Sequence, residues 1–275
     1  MKVVILAGGL GTRLSEETDL RPKPMVEIGP KPILWHIMKI YSHYGFKEFV
    51  VCLGYKAYFV KEWFANYCIH NNDITCSLGS NSVLFHNSHA EDWTVSLIDT
   101  GSETMTGGRI KRIKKYVGNE TFLATYGDGL GDIDIDKLLE FHRKHGKIAT
   151  LTAVYPEGRF GALGLKGNEV ERFSEKTDTV SRINAGFFVF EPEIFDYIDG
   201  DSDILEKGAL VKLAEAGELQ AYLHDGFWKP MDKQIDKMDL EQLWESGEAP
   251  WKVWDRTEKA PEKQSRIQGK HKKKA

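Results

Sequence analysis

Apolar residues fall in two alternating patterns over the first 155 positions of the chain. Val3-Val4-Ile5-Leu6, "KEFVVCL", "WTVSLIDT", "TFLATY" and "IATLTAVY" are nearly continuous runs, as expected of strands buried on both faces. Between them, "KPILWHIMKIYSHYG", "KAYFVKEWFANY", "GGRIKRIKKYV" and "IDIDKLLEFHRKHG" read as helices. Pro32 suits a first helical turn, Gly45 a helix end, and Gly54 a strand stop. The alternation predicts a mainly parallel sheet with helices on both faces, a Rossmann-like three-layer α/β/α fold. Beyond residue 155 the pattern loosens. "GALGLKGNEVERF" and "INAGFFVFEP" read as a small antiparallel elaboration in the C-terminal half. Helical segments near 202–216 and 233–246 then enclose a strand, "ELQAYLH". No repeat or low-complexity linker interrupts residues 1–255, which read as a single domain with insertions.

Composition sharpens this picture. The chain has 275 residues, 41% hydrophobic and 11% aromatic, enough for a large core and too apolar for wholesale disorder. The net charge of −4 argues against general nucleic-acid binding. Residues 256–275 hold eight Lys/Arg against two Glu, so residues 1–255 carry −10. With Ile267 its one large apolar residue, that basic tail reads as a solvated, disordered extension. The three cysteines, Cys52, Cys68 and Cys76, form no paired spacing; reduced thiols and a cytoplasmic setting are expected. No window reaches the ~18 apolar residues of a membrane span, and no leader pattern precedes the first strand.

Candidate chemistry begins with "LAGGLGTRL". Gly8, Gly9 and Gly11 follow the first strand, where the backbone can turn and present bare N–H groups. Arg13, Arg21 and Lys23 follow at once, and a phosphate chain would match that charge. The loop is no dinucleotide fingerprint, since position 14 is Leu14, and GxxxxGK[ST] is absent. In "RPKPM", Pro22 and Pro24 stiffen the backbone around Lys23, whose ammonium can follow charge developing on a phosphoryl group. In "TYGDGL", Asp128 ends a buried strand between two glycines, a place for a hard cation such as Mg²⁺. Asp232 in "GFWKPMD" is a candidate second carboxylate, although spacing alone does not bring it near. In "TMTGGRIKR", Thr104 or Thr106 is expected to cap a helix and Arg109 to contact a phosphate or base. Lys111, Arg112, Lys114 and Lys115 read as a solvated face. The His142/His145 and His86/His89 pairs lack further ligands and read as surface histidines. No GxSxG elbow supports a hydrolase.

Taken together, "LAGGLGTRL…RPKPMVEIGPKPILWHIM" resembles the signature of the sugar-phosphate nucleotidyltransferases. "IDTGSETMTGGRIKR", "TYGDGLGDIDI", "GRFGAL", "INAGFFVFEP", "GFWKPMD" and "EQLWESGEAPWKVWD" narrow the likeness to the cytidylyl-transferring branch, over about residues 1–255. The resemblance implies that CTP and α-D-glucose 1-phosphate give CDP-glucose and pyrophosphate, with Mg²⁺, by in-line attack on the α-phosphorus. It implies catalytic roles for Arg13, Lys23 and Asp128. Leu6, Ala7, Gly8, Gly9, Leu10, Gly11, Thr12 and Arg13, with Thr104 and Arg109, would bind the nucleotide. Lys23, Glu175, Lys176 and Asn184 would bind the sugar phosphate, and Asp128 and Asp232 the metal. A homo-oligomer is implied, with a hexamer among the assemblies pointed to. Two departures touch the sugar site: Glu175-Lys176-Thr177 stands for the usual Glu-Lys-Pro, and Asn184-Ala185-Gly186 for Asn-Gly-Gly. The competing expectations are UTP or dTTP as donor, and a non-catalytic sugar-nucleotide sensor. Arg13, Lys23 and Asp128 together weigh against the sensor.

Overall fold

The computed structural model describes residues 1–11, 14–18, 20–86, 90–156, 162–166, 169–174 and 181–255. Seven strands form one sheet: β1 (Val3–Leu6), β2 (Glu48–Leu53), β3 (Thr94–Asp99), β4 (Phe122–Tyr126), β5 (Ala149–Val154), β6 (Ile183–Phe190) and β7 (Leu219–His224). Their order is β7-β5-β6-β4-β1-β2-β3. Every pairing is parallel except the two made by β6. β1 pairs with β2 (Val3 opposite Phe49) on one side and β4 (Val3 opposite Leu123) on the other. The chain thus leaves β1 in one direction for β2 and β3, then returns to its far side at β4. In open α/β sheets such a switch point opens a crevice at the carboxyl ends of the two strands.

Side-chain alternation along the strands builds a core on each face of the sheet. Val3 and Ile5 join one core with Phe187 and Val189 from β6, beneath α1 (Ile33–His43). Val4 and Leu6 join the other with Phe188 and Phe190. The helices α2 (Ala57–Ala65), α3 (Thr106–Arg112), α4 (Ile135–His145), α5 (Ala209–Glu215) and α6 (Gln234–Glu245) complete the outer layers. In α4, Asp134 caps the start by accepting from the Lys137 N–H, and Gly146 ends it with a φ of 62°. The α-helical pattern of α1 begins one residue after Pro32, which is its N-cap.

Three features depart from the sequence pattern. "INAGFFVFEP" is no appendage: β6 runs antiparallel through the middle of the main sheet, because Ala185 to Phe190 are apolar on both faces and fully buried. The antiparallel elaboration proper is a hairpin of Ala162–Lys166 with Glu169–Ser174. A second hairpin, Asp73–Ser77 with Ser82–His86, had no reading in the periodicity. Finally, His142 is not a surface residue. It is 1% exposed, sharing hydrogen bonds with Thr150 Oγ1 (2.8 Å) and Glu191 Oε1 (3.1 Å), and burial lowers its pKa. Its place on the inner side of α4 was invisible to a search for metal ligands. Among the described residues no helix is long and apolar enough to cross a membrane.

Candidate active site

The glycine loop leaves β1 at the switch point and is fastened from three sides. The Ala7 N–H donates to the Cys52 carbonyl (3.0 Å), and the Gly8 carbonyl accepts from the Tyr55 N–H (3.2 Å). Arg109 supplies the third tie. Its Nη2 donates to the Gly8 carbonyl (2.9 Å), while Nη1 reaches the Leu53 carbonyl (3.0 Å), Thr100 Oγ1 (2.7 Å) and the Gly101 carbonyl (2.8 Å). A Cβ on Gly8 would lie 2.2 Å from that guanidinium, so any side chain there would displace the clamp. Gly9 is the opposite case: a Cβ there would meet nothing within 4 Å. The chain itself does not need a glycine at position 9.

Arg109 therefore works first as a clamp on the loop, from a buried position where desolvation lowers its pKa. The threonines do not cap its helix, as the sequence reading expected. The N-cap of α3 is Met105, which makes no side-chain cap bond. Thr106 Oγ1 accepts instead from the Leu205 N–H (2.9 Å), drawn away by a segment about a hundred residues downstream.

Lys23 lies in a short 3₁₀ turn, Lys23–Met25, which follows Pro22 in extended conformation (φ −66°, ψ 148°). The proline fixes the approach and the turn directs the lysine inward. Its Nζ donates to Asp128 Oδ2 at 2.7 Å and to Asp232 Oδ1 at 2.9 Å. A two-stranded antiparallel ribbon brings the carboxylates together: Gly129–Gly131 pairs with Trp228–Pro230, setting Pro230 opposite Gly129. The Met231 N–H donates to the Asp128 carbonyl (2.8 Å) and locks the corner. Burial works against the lysine's charge, yet the two carboxylates outweigh it and hold the pKa above the ordinary lysine value. The ammonium stays charged at the bottom of the crevice.

A cavity of about 340 Å³ opens above these groups. Of the residues singled out from the sequence, Leu6, Ala7, Gly8, Gly9, Gly11, Lys23, Thr104, Arg109 and Asp128 line it. Leu10 does not; its side chain is exposed outside. A second cavity of about 280 Å³ continues past Asp128 and is lined by Asp232, Ala185, Trp228, Tyr126 and Glu206. Asn184 adjoins it: its Oδ1 accepts from the Gly186 N–H (2.8 Å) and its side chain hydrogen-bonds Tyr126. Thr12, Arg13, Glu175 and Lys176 lie outside the described residues. Sequence reading missed Tyr126, which borders both cavities, and Glu206, and gave Thr106 only as a helix cap. An aromatic residue ending the strand just before Gly127-Asp128 was the available signal for Tyr126.

The nucleotidyl transferase family model matches residues 2–232. The glucose-1-phosphate cytidylyltransferase of Salmonella typhimurium is 55% identical over 257 residues, which cover 93% of this chain and 100% of that protein. The protein of the same description from Salmonella typhi matches to the same extent. Among solved structures, a UDP-glucose pyrophosphorylase complexed with UDP-glucose superposes with a TM-score of 0.64, covering 90% of this chain and 98% of that one. At 16% identity that likeness speaks to the fold alone. By the family model and by relatives alike over most of its length, the chain belongs to the nucleotidyl transferase family, in the branch of the glucose-1-phosphate cytidylyltransferases.

Proposed function

We propose that the crevice between β1 and β4 transfers the cytidylyl group of CTP to α-D-glucose 1-phosphate, giving CDP-glucose and pyrophosphate. The observation that carries this reading is the buried ammonium of Lys23 held between Asp128 (2.7 Å) and Asp232 (2.9 Å) where the two cavities meet. A sugar-phosphate oxygen attacks the α-phosphorus in line while the α–β P–O bond breaks, its electron pair leaving with pyrophosphate. The attacking phosphate is already ionised near neutral pH, so no general base is required. Positioning and charge neutralisation supply the rate.

In this reading Leu6 to Gly9 line the base and ribose, and the open space at Gly9 lets the nucleotide approach the backbone. Gly11, Thr12 and Arg13 surround the triphosphate, with Arg13 at the departing pyrophosphate. Lys23 neutralises the α-phosphate and the incoming sugar phosphate. Thr104 faces the nucleotide directly, whereas Arg109 acts through the Gly8 carbonyl that it holds. Glu175, Lys176 and Asn184 serve the hexose and its phosphate. The donor set of Asp128 and Asp232 fits a hard cation: two anionic oxygens already face one cationic position. Mg²⁺ suits such a pair, since it takes few protein carboxylates and keeps water and phosphate ligands. Bound there, it supplies charge neutralisation to the phosphates.

We further infer a homo-oligomer, with a hexamer among the assemblies the resemblance points to. Support comes from the hairpin Asp73–Ser77/Ser82–His86, which exposes Leu78, Val83, Leu84 and Phe85. Residues 1–255 would act as one catalytic unit in the cytoplasm, with CDP-glucose consumed in polysaccharide assembly. The test of the reaction is pyrophosphate release with glucose 1-phosphate and Mg²⁺, comparing CTP, UTP, dTTP, ATP and GTP. Preference for CTP is expected. Preference for UTP or dTTP would move the chain to a sister specificity, and no release with any of them would overturn the reading.

A further inference from the structure

We propose that Glu206 is a specificity-determining residue for the acceptor, its carboxylate accepting hydrogen bonds from hydroxyl groups of the sugar phosphate in the second cavity. The inference rests on the assignment of that cavity to the acceptor. Glu206 lines the second cavity and is held by two hydroxyls. Tyr126, which lines both cavities, donates its phenolic hydrogen to Oε1; Thr106, which lines the first, donates to Oε2 at 3.1 Å.

The direction of both bonds is fixed. Thr106 Oγ1 already accepts from the Leu205 N–H, so its own hydrogen is free to go to Glu206. The Tyr126 phenol is kept un-ionised by burial and by the negative charge of Glu206 beside it, so it too is the donor. Its ring has no latitude: it is the last residue of β4, meets Phe188 edge-on with centroids 5.6 Å apart, and fills the space that Gly186 leaves. A Cβ on Gly186 would lie 2.2 Å from that ring.

Glu206 is thereby held as a hydrogen-bond acceptor by two hydroxyls. Among the described residues each of its oxygens accepts one hydroxyl, and a carboxylate oxygen has room for two. Glu206 is exposed and lines the cavity, so its remaining lone pairs are open to a ligand there; they match one rich in O–H donors and repel one carrying a carboxylate. Across the cavity, Trp228 offers an aromatic surface whose Nε1–H is already bound to the Ala185 carbonyl (2.8 Å). The second cavity thus combines the carboxylates of Asp128 and Asp232, which hold the Lys23 ammonium, with the Glu206 carboxylate and the Trp228 ring. That arrangement fits a neutral polyhydroxylated sugar bearing a single phosphate.

The experiment measures pyrophosphate release at saturating CTP with glucose 1-phosphate and its 2-, 3-, 4- and 6-deoxy analogues. It is run on the wild-type chain, Glu206→Gln and Glu206→Ala, with thermal unfolding as a check on folding. On the wild type, at least one deoxy analogue is expected to lose about 10-fold or more in kcat/KM, the scale of a hydrogen bond to a charged group. Both variants should raise KM for glucose 1-phosphate by about 10-fold or more, and the penalty for that same analogue should fall toward unity. KM for CTP should stay within about 3-fold. Deoxy penalties that are the same in wild type and both variants would show that Glu206 does not touch the sugar, and would overturn this inference alone. A wild type that releases no pyrophosphate from any of these substrates would overturn the underlying assignment and this inference with it.

Discussion

Two buried polar side chains, Lys23 in the crevice and His36 under the sheet, face the same penalty and resolve it in opposite ways. Lys23 lies between Asp128 and Asp232, and its pKa is raised despite burial. His36 sits among Trp35, Trp244, Trp251 and Trp254, shares a hydrogen bond with the Ile28 carbonyl (2.9 Å) and meets the Trp251 Nε1–H (3.4 Å). Burial, reinforced by the charge of Lys252, pushes its pKa down to about 4. Where the fold only needs packing, a polar group is kept neutral and satisfied by its neighbours. Where chemistry is to be done, charge is kept in place by opposing charge. The contrast separates a site from a core more sharply than burial itself, which is nearly complete for both residues.

The strongest way to break this contrast is to remove the charge. Lys23→Ala should lower kcat/KM by about 1,000-fold while the far-ultraviolet circular dichroism stays native, since the loss falls on the transition state. A variant retaining most of its pyrophosphate release would refute the assigned role. At the other region, Trp251→Ala should cost about 3–5 kcal/mol in denaturant unfolding, because the fully buried indole stacks on Phe227 (5.7 Å between centroids) beneath α1. There the expected change in the KM values of any correctly folded fraction is slight.

The pH dependence sharpens the same comparison. For His36 the folded pKa lies below the unfolded value near 6.5, so the unfolded chain binds the extra proton first. Its stabilising contribution is complete above pH 6.5 and is lost as the pH falls toward 4. Between pH 7 and pH 5 the expected loss is about 2 kcal/mol, read from urea unfolding, and His36→Gln should flatten that slope. Lys23 has a raised pKa, so its contribution is fully present through this window and fades only at alkaline pH above the ordinary lysine value. The smallest expected effect on the fold is Gly9→Ala: a Cβ there meets open space, so stability should change by no more than about 0.5 kcal/mol. KM for CTP should nevertheless rise several-fold, and an unchanged KM would remove Gly9 from the nucleotide site.

Much of the site was readable from local signals. The run Val3 to Leu6 followed by glycines marked a buried strand and the turn that lines the crevice, and Pro22 and Pro24 marked Lys23 as a held residue. Asp128 between two glycines marked a carboxylate at a strand end. Arg109 shows where such reading falters. It lines the candidate site as expected, but its partners include the carbonyls of Gly8, Leu53 and Gly101, which a charge pattern does not announce. His142 fails for a related reason: i, i+3 spacing on α4 says which residues share a side, not which side faces the sheet. The segment "PWKVWD" helped to fix the resemblance, yet it packs around His36, far along the chain from the glycine loop, and serves the core.

By itself the sequence determined the strands, helices and turns of the α/β frame and the kind of charge that each loop carries, because periodicity, glycine and proline act within a few residues. Only the tertiary structure decided that Lys23 meets Asp128 and Asp232 from 105 and 209 positions away, and that Glu206 joins Tyr126 and Thr106. Those meetings depend on the strand order around β1 and on the ribbon that folds Trp228–Pro230 onto Gly129–Gly131. Both are set by the packing of two cores at once, a collective property that no short stretch of chain encodes.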